Sequence, residues 1–288
     1  MNNNYRFVFF GSSDLSVLVL EELKKSGFLP ALIVTTMDKP RGRKLVLTPP
    51  EAKLWADKEN ILCQQLKTLR TPEAEELLRS YGEMDFFVVA SYGKIIPQNI
   101  LDIPKKGTLN VHPSLLPKLR GASPIKGAIL NENETGVSIM LLDAEMDHGP
   151  ILAQEKVLSW DMQTLPYEKD LKETLGKKGG EMLSEVIPKW MNNEITPIEQ
   201  NHDLATLCGK IEKADGELDL SQDPEINLRK IRAYHVWPGA YFFQDHSGKK
   251  IRVNVKTAKI ENDSLVLERI VPEGKKEMNY SDFLRGLR

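Results

Sequence analysis

The chain has 288 residues, 41% hydrophobic and 28% charged, a composition that excludes a disordered or collagen-like protein. That length accommodates one large α/β domain, or a domain of ordinary size with a smaller one attached. With 39 Lys and Arg against 41 Asp and Glu, the formal net charge of -2 excludes a histone-like or tail-driven nucleic-acid binder, while leaving room for a local basic patch.

The first apolar run, Phe7–Phe10, ends at Gly11. Ser12, Ser13 and Asp14 follow, then Leu15, Val17, Leu18, Leu20 and Leu23, which reads as strand, glycine turn and helix. Residues 31–35 supply a second strand, and strand–helix–strand argues for a parallel sheet. Between these and the next strand lies a loop, 38–45, with four bases in the six residues Lys39 to Lys44; it is too punctuated for a helix and reads as a solvated loop or as an anion-binding one. Pro72–Ser80 is polar and helical, and 86–90 is a third continuous apolar run of the kind that parallel sheets bury on both faces. Thr108–His112 and 136–142 are further strands, with a short helix at 124–130 between them.

Past about residue 185 the texture changes. The expected organisation is a Rossmann-like α/β domain with a mostly parallel sheet over 1–187, a linker over 188–206, and a small OB-like β-barrel over 207–288. The barrel is read from the hairpin signal at 245–248 between strands 240–243 and 250–255, a second turn at 272–274, and a helix near 228–234. Residues 191–225 carry nine acids against two bases, net -7, and 226–288 carry thirteen bases against seven acids, net +6. The basic segment is either solvated barrel surface or an electrostatic surface for a polyanion such as RNA. Cys63 and Cys208 are isolated, so they make neither a disulfide framework nor a zinc site. The N-terminus lacks a signal-peptide pattern and no apolar run reaches membrane length, so a cytosolic location and no membrane partner are expected.

The sharpest feature is Asn110-x-His112. Two residues apart on a strand, both side chains face one way, near the C-terminal end of a central strand where open α/β sheets place their sites. An amide donor beside an imidazole can stabilise an oxyanion and manage a proton, and Asp147 can orient the imidazole. The competing reading is that His112 is a satisfied core residue. The Gly11 turn lacks both the dinucleotide-binding fingerprint and a Walker A sequence, which disfavours a dehydrogenase or a phosphate-cradled cofactor.

The run Asn110-Val111-His112-Pro113-Ser114-Leu115-Leu116-Pro117, followed by Arg120-Gly121-Ala122-Ser123-Pro124-Ile125, resembles the signature of the 10-formyltetrahydrofolate-dependent formyltransferases, and most nearly the branch that acts on methionyl-tRNA. Met146-Asp147-His148-Gly149-Pro150, Ser91-Tyr92-Gly93-Lys94 and Trp237-Pro238-Gly239-Ala240 fit as well, in order along nearly the whole chain. The resemblance implies transfer of a formyl group from 10-formyltetrahydrofolate to the α-amino group of methionine on initiator tRNA, with no metal. Asn110, His112 and Asp147 match the catalytic residues. The folate is expected against Val89, Ala90, Tyr92, Ser114, Leu115, Leu116, Pro117, Leu142 and Asp143. Arg41, Arg43 and Lys44, with Arg232, Lys249, Lys250 and Arg252, are expected to meet the tRNA, and the protein to act as a monomer. Ser12-Ser13 and Leu119 depart from the pattern without removing a catalytic side chain. A sugar-nucleotide N-formyltransferase is the main rival, since it would share the trio and the donor but need neither the basic loop nor the basic end. A glycinamide ribonucleotide formyltransferase, a formyltetrahydrofolate hydrolase and an RNA-binding module on an inactive domain fit less well.

Overall fold

A strand with no polar alternation is stable only when covered on both faces, and β1 (Phe7–Phe10) is buried throughout. In the computed structural model, which describes residues 5–42, 45–246 and 248–287, β1 runs through Gly11 into α1 (Asp14–Lys25) and then β2 (Leu32–Thr35), parallel to β1. Next come an antiparallel pair, β3 (Lys39–Arg41) and β4 (Val46–Thr48), then α2 (Glu51–Glu59), β5 (Cys63–Gln65) and α3 (Pro72–Ser80). β6 (Phe86–Val89), α4 (Gln98–Leu101), β7 (Thr108–His112), β8 (Arg120–Gly121) and α5 (Pro124–Asn131) follow, then β9 (Glu134–Leu141), β10 (Ile151–Ser159) and the 24-residue α6 (Glu168–Met191).

Seven of these strands form one sheet in the order β10-β9-β7-β6-β1-β2-β5. The pairs β5–β2, β2–β1, β1–β6 and β6–β7 are parallel, and β7–β9 is antiparallel. The chain builds outward from β1 on one side and then returns to build on the other. The β1/β6 boundary is therefore a topological switch point, where such sheets open a crevice beyond their strand ends. β7, whose five residues are all buried, ends next to that boundary.

Two close approaches set the depth of this region. A Cβ at Gly11 would lie 2.5 Å from the Phe9 ring and 2.7 Å from Ser16 Oγ. The absent side chain lets the Ser16 hydroxyl accept from the amides of Ser12 (2.9 Å) and Ser13 (3.1 Å) while donating to the Ala90 carbonyl (2.6 Å). Those turn amides are thus bound internally and do not form a phosphate cradle. On the other face of the sheet, a Cβ at Gly179 of α6 would lie 2.4 Å from Cγ1 of Val111, the residue between Asn110 and His112.

The fold departs from expectation in three places. The basic loop is built on a short exposed hairpin, with Arg41 paired to Val46 across it. The expected linker 188–206 begins inside α6, which the sequence conceals because Gly176, Gly179, Gly180 and Pro188 all lower helix propensity, and packing overrides that preference. Ile198 then exchanges both backbone hydrogen bonds with Ile151 (2.8 and 2.9 Å), so this stretch is tied to β10. The chain divides into two compact units: Met1–Ala122, Gly136–Val157 and Glu173–Leu207 form one, and Ser123–Thr135, Leu158–Lys172 and Cys208–Arg288 the other. The expected segments 1–187, 188–206 and 207–288 are contiguous, whereas these units group 123–135 and 158–172 with the chain's end.

In the second unit, β11 (Leu207–Cys208) leads toward α7 (Pro224–Ala233), whose first turn is capped by the Asp223 carboxylate accepting from the Glu225 amide (2.8 Å). Arg229 of α7 donates to the carbonyls of Ile129 and Glu132, both at 2.8 Å, closing the C-terminal end of α5. The expected small barrel takes the form of a four-stranded antiparallel sheet, β12 (Ala240–His246), β13 (Lys249–Glu261), β14 (Ser264–Pro272) and β15 (Met278–Asn279), followed by α8 (Tyr280–Arg285). Among the described residues, no helix is long and apolar enough to cross a membrane.

Gly179→Ala should cost about 1–3 kcal/mol through overpacking against Val111. Urea unfolding reads this directly, and an unchanged midpoint would show that α6 does not depend on the close approach.

Candidate active site

Asn110 and His112 are buried on β7, 7% and 4% exposed, in a sheet whose interior is mostly apolar. Buried polar groups need partners, and two loops supply them. His112 Nε2 lies 3.0 Å from the Leu119 carbonyl oxygen, so the ring donates there and Nε2 carries the proton. Nδ1 then faces Asp147 Oδ1 at 3.5 Å. Asn110 Nδ2 reaches the same carboxylate oxygen at 3.4 Å, beyond a strong hydrogen bond. Asp147 is anchored by its other oxygen, which accepts from the Gly121 amide at 2.8 Å. One carboxylate oxygen is therefore fixed, while the other meets an amide and an imidazole that it holds only loosely.

The loops that deliver these partners are themselves constrained. Asp147 has φ +50° and Leu119 φ +60°, in the left-handed region that side-chain-bearing residues adopt only when held. Gln200, 5% exposed, donates through Nε2 to the carbonyls of Asp147 (2.9 Å) and Gly149 (2.7 Å). Its Oε1 accepts from Arg120 Nε (3.1 Å) and Nη2 (2.7 Å). Arg120 also donates to His202 Nδ1 at 2.8 Å. The His202 ring stacks on His148 at 4.1 Å between centroids, and His148 Nδ1 lies 2.7 Å from Asp143 Oδ2. Thr206 accepts from the Leu119 amide through Oγ1 (2.9 Å) and from the Arg120 amide through its carbonyl (2.9 Å). Gln200 and Thr206 escape sequence reasoning because they sit in a polar stretch with no period, and neither type announces a role. Ser138, opposite His112 across the β7–β9 ladder, accepts from the Leu116 amide (3.1 Å) and Gln154 Nε2 (2.8 Å) and donates to the Ser114 carbonyl (2.7 Å).

The residues expected to meet a folate divide by exposure. Val89, Ala90, Tyr92, Ser114 and Leu116 are buried, whereas Leu115, Pro117, Leu142 and Asp143 are half-buried. Val89, Tyr92 and Leu142 belong to one apolar cluster with Ile96. Within it the Tyr92 ring meets Phe10 edge to face at 5.5 Å, and its hydroxyl has no hydrogen-bond partner among the described residues. Burial pushes that hydroxyl up to about 12, so it is a donor at neutral pH. What the buried members offer a ligand is backbone, with the half-buried four and the Tyr92 hydroxyl as the side-chain contribution.

The basic residues are distributed differently. Arg41 is exposed and forms a two-pronged ion pair with Glu51, Nη2 to Oε2 at 3.1 Å. Arg43 and Lys44 lie outside the described residues. In the second unit the Arg232 guanidinium lies 4.0 Å above the Tyr167 ring and that of Arg252 3.5 Å above Tyr241, with both Nε atoms buried and unpaired among the described residues. Lys249 and Lys250 are exposed at the β12–β13 hairpin end, Lys250 opposite Asp245. Among the described residues, no three His, Cys, Asp or Glu side chains are grouped to hold a metal.

Residues 5–187 match the family described as Formyl transferase. A methionyl-tRNA formyltransferase of Chloroflexus aurantiacus is 42% identical over 239 residues, covering 83% of this chain and 76% of its own. That of a Geobacillus species is 36% identical over 303 aligned residues, covering 98% and 94%. The solved structure of a sugar N-formyltransferase from a Shewanella species shares the fold at a TM-score of 0.66 and 15% identity, covering 89% of this chain and 98% of that one.

Ser138→Ala leaves the buried Leu116 amide and Ser114 carbonyl without the hydroxyl that joins them and should cost about 1–3 kcal/mol. Chemical denaturation measures the loss, and a variant as stable as the parent would mean that water replaces the hydroxyl.

Proposed function

The chain belongs to the formyl transferase family, and from that premise we propose that it transfers the formyl group of 10-formyltetrahydrofolate to the α-amino group of methionine on initiator tRNA, for translation initiation. The observation that carries the reading is the cluster of Asn110, His112 and Asp147, the last of these 37 positions beyond Asn110, at the C-terminal end of β7. The similarity to methionyl-tRNA formyltransferases spans almost the whole chain at 36% identity, and this supports the tRNA substrate over the sugar nucleotide.

The chemistry follows from what the three groups can exchange. The free amine attacks the formyl carbon, and negative charge develops on the formyl oxygen in a tetrahedral intermediate. The Asn110 amide, held by only a long contact to Asp147, is the donor available to that oxygen. Attack leaves a proton on the incoming nitrogen. His112 Nδ1 and Asp147 Oδ1 are the acceptors beside it, Nε2 being committed to the Leu119 carbonyl. Once Nδ1 is protonated, the imidazolium becomes a second donor, stabilised by the carboxylate. The proton then passes to the departing nitrogen of the folate, an aryl amine and hence a better leaving group than an alkylamine. Oxyanion donors of this kind contribute about 3–4 kcal/mol where they have been removed.

The folate ring fits the apolar cluster of Val89, Tyr92 and Leu142, with the Tyr92 hydroxyl and the backbone at Ser114 to Pro117 to read its polar edge. For the tRNA, Arg41, with Arg43 and Lys44 next to it in sequence, is the contact in the first unit. Arg232, Lys249, Lys250 and Arg252 are the contacts in the second, where the segment 226–288 carries net +6. Engagement of Arg41 requires its pair with Glu51 to open. The protein acts as a monomer in the cytosol.

Incubation with 10-formyltetrahydrofolate and, separately, initiator Met-tRNA, elongator Met-tRNA and amino-sugar nucleotides tests the reading. Formyl-methionine on the initiator tRNA is the expected product; formylation of the sugar alone would overturn it. Asp147→Asn should lower kcat/KM on the order of a hundredfold while leaving folate binding intact. Turnover near that of the parent would remove Asp147 from the mechanism.

A further inference from the structure

Between α6 and the second unit the chain does not simply connect. Residues 198–207 fold back through the first unit, and this stretch bonds to each of the two loops that complete the trio. At one end, Gln200 bridges the carbonyls of Asp147 and Gly149 with its two amide protons. At the other, Thr206 takes the amides of Leu119 and Arg120, and its own amide reaches the Pro117 carbonyl at 3.3 Å. Leu119 supplies the carbonyl that fixes the His112 ring, and Asp147 is the carboxylate beside it. Arg120 joins the two ends, donating to Gln200 on one side and to His202 on the other.

We propose that this return segment is a clamp, and that Gln200 and Thr206 are positioning residues that set the separation of Asp147 from His112. Neither touches the reacting atoms, and each acts through a backbone held in the left-handed region. The amide of Gln200 admits one orientation, since arginine only donates and carbonyls only accept, so its bonds to Asp147 and Arg120 form or fail together. The loops at Leu119 and Asp147 belong to different connections, one between β7 and β9 and the other between β9 and β10, and the return segment hydrogen-bonds to both. The bond from Gln200 to the Asp147 backbone carbonyl bears directly on that residue's left-handed conformation. A misplacement near 1 Å in such a site costs catalysis far more than binding.

The inference rests on the formyl-transfer reading for its kinetic test but not for its spectroscopic one. Gln200→Glu keeps the shape and the bonds from Arg120 but cannot donate to the Asp147 and Gly149 carbonyls, and Thr206→Val keeps the shape without the hydroxyl. Each should lower kcat by about tenfold or more, with KM for both substrates changed by less than about threefold and the pH profile of kcat displaced. Nitrogen-15 NMR of the His112 ring, with no substrate present, should show the Nε2-protonated form in the parent. In Thr206→Val it should show a broadened or mixed signal. If the parent fails to formylate Met-tRNA, the functional reading falls while the imidazole spectra still test the clamp. Parent-like kcat together with a parent-like His112 spectrum in both variants would overturn it. Should Thr206→Val not fold, Gln200→Glu alone carries the same two readouts at Asp147, the spectral one through the Nδ1 side of the ring.

Discussion

Burying an amide and an imidazole on a strand of a largely apolar sheet is the constraint around which the C-terminal end of β7 is arranged. Asn110 and His112 lie on a β7 buried along its whole length, where a polar group without a partner costs a few kcal/mol or so. The strand cannot satisfy their side chains, because its backbone groups serve β6 and β9. The partners must come from loops. The two that provide them, around Leu119 and Asp147, do so with backbones in a conformation that chains avoid. The geometry of this cluster is the solution to a desolvation problem, and the left-handed backbone of the two loops is the cost of that solution.

That arrangement links packing on the far face of β7 to the polar pair on the near one. Alternation along β7 directs Val111 away from the site, and Gly179 of α6 accepts its methyl group. On the near face Ser138, paired in register with His112, ties the 114–116 turn to β9. The strand is thus held in depth from behind and in register from the side, with both fixed before any substrate binds. Preorganisation of this kind lets a donor act on developing charge without moving at the moment of reaction.

The basic residues follow a different logic. Arg232 and Arg252 each lie over a tyrosine ring, which places a weakly hydrated cation on an aromatic face and holds its plane. Lys249 and Lys250 remain exposed at a hairpin end, as ammonium groups on long flexible stems. A surface that meets a phosphate backbone uses both kinds, one oriented and one adaptable. Arg41 differs again, since its charge is balanced by Glu51 within the same unit.

The amino-acid pattern alone determined the strand–helix alternation around Gly11, the continuous apolar strands, the antiparallel character of the C-terminal end and the placing of Asn110 and His112 together on a buried strand. Each of these is written in local chemistry: period, turn residues, or a polar pair at a spacing of two on a buried strand. It did not reveal α6, whose glycines and Pro188 read as interruptions until Leu18, Val19 and Val111 are seen to require small partners. Nor did it show that Tyr92 packs inward, that 123–135 groups with the chain's end, or that Gln200 and Thr206 hold the loops beside the trio. Those facts depend on which backbone carbonyls and methyl groups meet across long stretches of chain. A glutamine in a polar stretch carries no mark of the two carbonyls it will bind; only folding brings Asp147 and Gly149 within reach of its amide.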